Sequence, residues 1–197
     1  MVINRFILFP RIRLRVSVLA VPICIIMLWL EGGTPFFIML FSALVHELGH
    51  ILALKYFGYR VRCVDVLPMG AVIAVPEGMP DRCELFISIS GPIFSLLSSL
   101  IGMMAISFQK TPNTLFFVLI NAVLGIFNLL PIEKLDGGKA LCSYLFLRGV
   151  PSPRRICAVV SLCTKIVFVT FCFLAVIVSD FNFGVALLFF ALAVQIV

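Results

Sequence analysis

Six apolar runs dominate the chain: Val16 to Leu30, Phe36 to Phe57, Leu85 to Ile106, Thr114 to Leu130, Ile156 to Val178 and Phe181 to Val197. A helix needs roughly 20 apolar residues to cross a bilayer, and within the bilayer the backbone must satisfy its own hydrogen bonds. The runs do not alternate apolar with polar residues, as the strands of a transmembrane barrel would. They predict an all-α polytopic membrane protein of about six transmembrane helices. With 62% hydrophobic and 12% charged residues, a soluble globule is excluded, because ordinary soluble domains carry about a quarter charged residues.

The net charge of +6 does not point to nucleic acid, because the 15 Lys and Arg residues lie between apolar runs and form no basic face with interleaved aromatics. They report topology instead. A cytoplasmic N-terminus puts Arg5, Arg11, Arg13, Arg15, Lys55, Arg60, Arg62, Arg82, Lys134, Lys139, Arg148, Arg154 and Arg155 on the cytoplasmic side and leaves only Lys110 outside, with Lys165 inside the fifth span. The basic N-terminus followed by an apolar run resembles a signal peptide, but no small-x-small cleavage pattern follows at Glu31-Gly32-Gly33, so a retained first span is expected. The seven cysteines form no Cys-x-x-Cys pair and read as small core hydrophobes.

Residues 60–80 are too apolar for an ordinary loop. Val-rich flanks, Val61 to Leu67 and Ala71 to Val75, surround Pro68-Met69-Gly70, which predicts a membrane-associated β-hairpin or re-entrant loop.

Both histidines of the chain fall in His46-Glu47-Leu48-Gly49-His50, in the middle of the second span. Ionisable groups at membrane depth cost a few kcal/mol each on insertion scales, so three within five residues call for a functional reason. At 100° per residue His46 and His50 project from nearly one face, one turn apart, which suits two imidazoles on a single Zn2+ ion. Glu47 lies beside them, where it can take a proton from an attacking water. A catalytic zinc needs a third protein ligand, and two of the nine acidic residues compete for that place. Asp136 follows the fourth span in Pro131-Ile132-Glu133-Lys134-Leu135-Asp136-Gly137-Gly138, where a proline stops a helix and the glycines permit a tight backbone. Glu133 is the competitor, but Lys134 beside it favours the headgroup layer. The second and fourth spans run in the same direction, so His46 and Asp136 both lie towards the cytoplasmic half. Asn121, Gly125 and Asn128 form one polar and small face of the fourth span. Asn121 reads as a hydrogen bond to a neighbouring helix, and Asn128 is better placed to hold a substrate carbonyl or oxyanion. Ser88, Ser90, Gly91, Ser95, Ser98, Ser99 and Gly102 give the third span a packing surface, with a kink expected at Pro92.

The zinc motif, Ser90-Gly91-Pro92 and Asn128-Leu129-Leu130-Pro131 through Asp136-Gly137-Gly138 together resemble the site-2 protease family of intramembrane zinc metalloproteases, over about residues 16–178. Leu67-Pro68-Met69-Gly70 and Leu135-Asp136-Gly137-Gly138-Lys139 are most similar to its stage IV sporulation protein FB branch. The resemblance implies that His46, His50 and Asp136 bind zinc, that Glu47 is the general base, and that Asn128 positions the substrate backbone. It implies one intramembrane protease domain over residues 1–197 in a bacterial cell membrane. The substrates would be membrane-anchored or membrane-associated regulators, such as pro-sigma or anti-sigma factors, and inhibitory membrane partners are expected. The hairpin would offer an edge strand to an unwound substrate. The family's Pro-Phe-Gly-Gly turn is Pro68-Met69-Gly70-Ala71 in this chain. With the last residue at Val197, the branch's nucleotide-sensing CBS domain is expected to be missing, and no PDZ insertion interrupts the chain.

Two rivals belong to other classes. A membrane cation transporter could use the same cluster, but such folds commonly show two related halves and no second His or carboxylate cluster pairs with the first. An inactive relative could bind substrate helices without cutting them, against which the intact Glu47 argues.

Overall fold

The computed structural model describes residues 13–16, 25, 28–29, 33–59, 63–67, 70–73, 78–108 and 110–178. Their elements in chain order are β1 (Arg13–Val16), α1 (Gly33–Tyr56), β2 (Cys63–Leu67), β3 (Gly70–Ile73), α2 (Asp81–Ile106), α3 (Pro112–Asn128), α4 (Asp136–Leu147) and α5 (Pro153–Val178). The fold is mostly helical. Among the described residues, three helices are long and apolar enough to span a membrane: α1, α2 and α5, the last over Pro153–Leu174. The 17-residue α3 is apolar but shorter.

Local chemistry sets the helix ends. After α1, Gly58 adopts φ 77°, and Tyr59 N–H bonds the Leu54 carbonyl at 2.9 Å, so the left-handed glycine closes the last turn. Asp81 and Glu84 occupy the first turn of α2, where the helix dipole favours negative charge. Thr111 and Thr114 form a reciprocal capping box at the start of α3, with Pro112 as the first helical residue.

Polar groups are buried and large apolar ones face outward, the reverse of a soluble domain. Ser42, His46, Ser95, Ser99 and Asn121 are buried, whereas Phe37, Leu44, Ile101 and Phe171 are each at least 60% exposed. Lipid tails are as apolar as leucine, so small and polar residues drive association between membrane helices. The small-residue face expected of the third span packs inward at most of its positions, with Ser90 and Ser98 only partly buried. Helix α2 turns Ser88, Gly91, Pro92, Ser95, Ser99 and Gly102 inward and packs against α1, α3 and α4. Ser99 Oγ donates to the Val118 carbonyl at 2.9 Å, and Asn121 Nδ2 donates to Ser42 Oγ at 2.8 Å, the inter-helix bond expected of Asn121. A small apolar cluster of Phe127, Ile132 and Leu135, with Leu130 and Phe168 against it, holds the segment after α3 to α5.

Several expectations meet a different outcome. The stretch after the fourth span is not a simple turn: it leads into a 12-residue helix, α4, whose first residue is Asp136. Val16 ends strand β1 instead of opening a span. Strand β1 pairs in parallel with β2, and β2 pairs antiparallel with β3, placing Val64 opposite Ile73 and Leu67 opposite Gly70. The turn residues Pro68 and Met69 lie outside the described residues. So do the span expected at Phe181 to Val197 and most of the first span, so the count of six is not established among the described residues. Of the cysteines, Cys157 and Cys172 are buried as expected, while Cys163 is exposed.

Candidate metal centre

Helix α1 buries Ser42, His46, Gly49, His50 and Leu54, a single stripe at helical spacing. Its two imidazoles therefore face α2 one turn apart, with ring centroids separated by 5.0 Å. Each ring is held from behind. His50 Nδ1–H donates to the Ile87 carbonyl at 2.8 Å, which leaves the Nε2 lone pair of the neutral ring free to ligate. His46 Nδ1 lies 3.0 Å from the hydroxyl of fully buried Ser95. Close approach of α1 and α2 depends on two glycines that face each other across the contact. A Cβ on Gly91 would overlap the His50 ring, and one on Gly49 would lie 2.7 Å from the Ser90 carbonyl.

Asp136 reaches the same point from the other side. A Cβ on Gly137 would overlap the Leu129 carbonyl, and one on Gly138 would overlap the Ile132 carbonyl. The two glycines thus let the first turn of α4 press onto the chain that leads into it, which aims Asp136 at the histidines. Asp136 Oδ2 lies 3.2 Å from His46 Nε2 and 3.1 Å from His50 Nε2, and the two Nε2 atoms are 3.3 Å apart. Tetrahedral ligands at bonds of about 2.0–2.1 Å stand roughly 3.3 Å from one another, so the residues present fit a zinc ion. These three are the group of metal-ligating side chains that could hold an ion among the described residues. Glu133 does not join them. It is exposed, and its backbone N–H donates to Ser161 Oγ at 3.1 Å.

Glu47 is half-buried beside this triad and interacts electrostatically with His50, Asp136 and Lys139. Asn128, half-buried at the end of α3, donates from Nδ2 to the Leu124 carbonyl of its own helix at 2.9 Å. A cavity of about 650 Å3 is lined by Asp81, Glu84, Glu133, Lys139, Cys142 and Arg154 among others; it reaches Gly138 and Lys139 on α4 but none of His46, Glu47, His50 or Asp136 lines it.

The sequence profile of peptidase family M50 matches residues 35–115 and 109–174, which spans both halves of this centre. The chain belongs to peptidase family M50. The resemblance to site-2 proteases is therefore borne out, and with three apolar helices of spanning length the M50 chain is an integral membrane protein. It is 35% identical over 115 residues to zinc metalloprotease MJ0392 of Methanocaldococcus jannaschii, covering 55% of this chain and 34% of that one. It is 32% identical over 117 residues to stage IV sporulation protein FB of Bacillus subtilis, covering 57% of this chain and 40% of that one. The chain thus spans about a third of the length of the curated relatives it matches. The site-2 protease structure from Methanocaldococcus jannaschii superposes with a TM-score of 0.66 at 23% identity, over 95% of this chain and 91% of that one. It shares the fold.

Three contributors escaped the sequence reading. Ser95 stood in a row of small residues with nothing to single it out. Gly91 was visible in Ser90-Gly91-Pro92, but its role as the seat of His50 needs the helix crossing. Lys139 read as a topology charge, yet its Nζ lies 3.6 Å from Asp136 Oδ1.

Proposed function

We propose that this M50 protein is an intramembrane zinc metalloendopeptidase that cleaves membrane-anchored or membrane-associated regulatory proteins. One observation carries the reading: two histidines on an otherwise apolar helix of spanning length, with Glu47 adjacent, converge to ligand spacing with an aspartate from the start of α4. Ionisable groups at such depth are retained for function.

His46, His50 and Asp136 would hold the metal. Zinc, when bound, polarises the scissile carbonyl and lowers the pKa of the attacking water. Glu47 accepts the proton of that water and returns it to the departing amine. Asn128 swings its amide from the Leu124 carbonyl to the substrate backbone, where its N–H donates to the carbonyl oxygen as negative charge develops. The open cavity beside Lys139 supports water entry from the side that carries Arg82, Arg148 and Arg154, which positive-inside bias makes cytoplasmic, with the N-terminus also cytoplasmic. Residues 60–80 act as a membrane-associated hairpin, and β3, an outer strand of the sheet among the described residues, offers its edge to an unwound substrate. Substrates of the pro-sigma or anti-sigma type in a bacterial cell membrane belong to the same proposal, with which similarity to a Bacillus subtilis sporulation protein is consistent.

The test is co-expression with a tagged, membrane-tethered pro-sigma-type substrate, comparing wild type with Glu47→Gln and measuring bound zinc in both. Cleavage by wild type, and its loss in Glu47→Gln with zinc retained, is expected. Equal cleavage by both would overturn the mechanism.

A further inference from the structure

The two oxygens of Asp136 are assigned to different neighbours. Oδ2 faces both histidine Nε2 atoms at 3.1–3.2 Å, and Oδ1 faces the Lys139 ammonium at 3.6 Å. Lys139 stands one turn further along α4, and its backbone N–H bonds the Leu135 carbonyl at 3.2 Å. The lysine stem therefore lies over the carboxylate by helix geometry, without a loop to fix it. Its head is half-exposed on the wall of the 650 Å3 cavity, and its charge also acts on Glu47. Lys139 thus stands between the metal ligands and the solvent-accessible side, in contact with the oxygen the histidines do not use.

We propose that Lys139 is a positioning residue for the metal centre: its ammonium holds Asp136 Oδ1 away from the ion, so that the carboxylate ligates through Oδ2 alone. A free carboxylate can bind a cation through one oxygen or two, and a second oxygen on the ion would occupy the place that water or the scissile carbonyl needs. A cation on Oδ1 decides between the two modes. Partners of this kind orient ligating carboxylates as hydrogen-bonded carbonyls orient ligating histidines, which is the service Ile87 performs for His50. The competing description is an ordinary ion pair three residues apart on a helix, with no effect on the metal.

The inference rests on the zinc reading, so its test measures metal binding apart from proteolysis. Purified full-length wild type, Lys139→Met, Lys139→Gln and Lys139→Arg are loaded with zinc against a competing chelator, and with cobalt(II) for its visible spectrum. Wild type and Lys139→Arg are expected to bind zinc alike and to share one cobalt spectrum. Lys139→Met and Lys139→Gln let the second oxygen onto the ion and remove a nearby positive charge, so they are expected to bind zinc at least as tightly as wild type and to show a weaker and shifted cobalt band. Because the head is half-exposed, both should fold, which circular dichroism checks. Lys139→Met and Lys139→Gln that keep the wild-type cobalt spectrum, whatever their zinc affinity, would overturn the proposal while leaving the zinc site intact. A folded wild type that binds no zinc would instead overturn the metal reading itself.

Discussion

The two halves of the metal centre are built by different physics. His46 and His50 are placed by the regularity of α1: four residues make about one turn, and a straight helix needs nothing more to bring two imidazoles to one face. Asp136 is placed by an irregularity, a helix start pressed against the Leu129 and Ile132 carbonyls so tightly that only glycines fit at 137 and 138. In the first half the pairing of the imidazoles tolerates change wherever the helix persists, and only their seat against α2 needs the small residues Gly49 and Gly91. The other half depends on contacts measured in fractions of an ångström, and the difference predicts where the site breaks.

The largest effects should fall on the aspartate half. Gly137→Ala or Gly138→Ala puts a methyl group onto backbone carbonyls that cannot turn aside, so α4 must shift at its start. Overpacking of this kind costs about 3 kcal/mol or more, well beyond the ~1 kcal/mol that alanine regains in helix propensity. Zinc binding should be lost and the midpoint of thermal unfolding in detergent lowered. A Gly138→Ala protein with normal zinc content would show that the close approach does not position Asp136.

Gly91→Ala tests the histidine half. Its methyl group meets a side chain, the His50 ring, which can tilt at the expense of its bond to the Ile87 carbonyl. Zinc affinity should fall about 10- to 100-fold with the fold retained, as measured by chelator competition beside circular dichroism. Loss of folding would place the two halves on the same footing.

Ser95→Ala removes only the partner of His46 Nδ1. The ring remains on α1 and keeps its packing, so about a tenfold loss of zinc affinity is expected by the same measurement, with little change in stability. An unchanged affinity would mean that packing alone orients His46. At the small end, Leu44→Ala on the outward face of α1 should change stability by less than about 0.5 kcal/mol and leave zinc content untouched, because lipid replaces the lost contacts. A large effect there would mean that this face meets a protein partner.

The same contrast explains what the sequence made legible. Periodicity alone pairs His46 with His50, and apolar context makes the pair conspicuous. Asp136 emerged by elimination among a few acidic residues, supported by the Gly137-Gly138 signal, but its reach to the histidines rests on a chain path that spacing cannot compute. Helix α4 was missed because Asp-Gly-Gly reads as a turn, glycine being a poor helix former, and tertiary packing against α2 and α5 overrides that preference. What Ser95 and Lys139 do for the metal ligands is not legible in the sequence, since those roles depend on which partner each meets.

The central claim is that α1 and α4 jointly supply the ligands of one zinc ion, and the direct measurement is the zinc content of purified wild type beside Asp136→Ala, with helicity recorded for both. The account predicts about one zinc per wild-type chain and less than about a tenth of that in a folded Asp136→Ala protein. Full zinc occupancy in folded Asp136→Ala would contradict it and place the third ligand elsewhere.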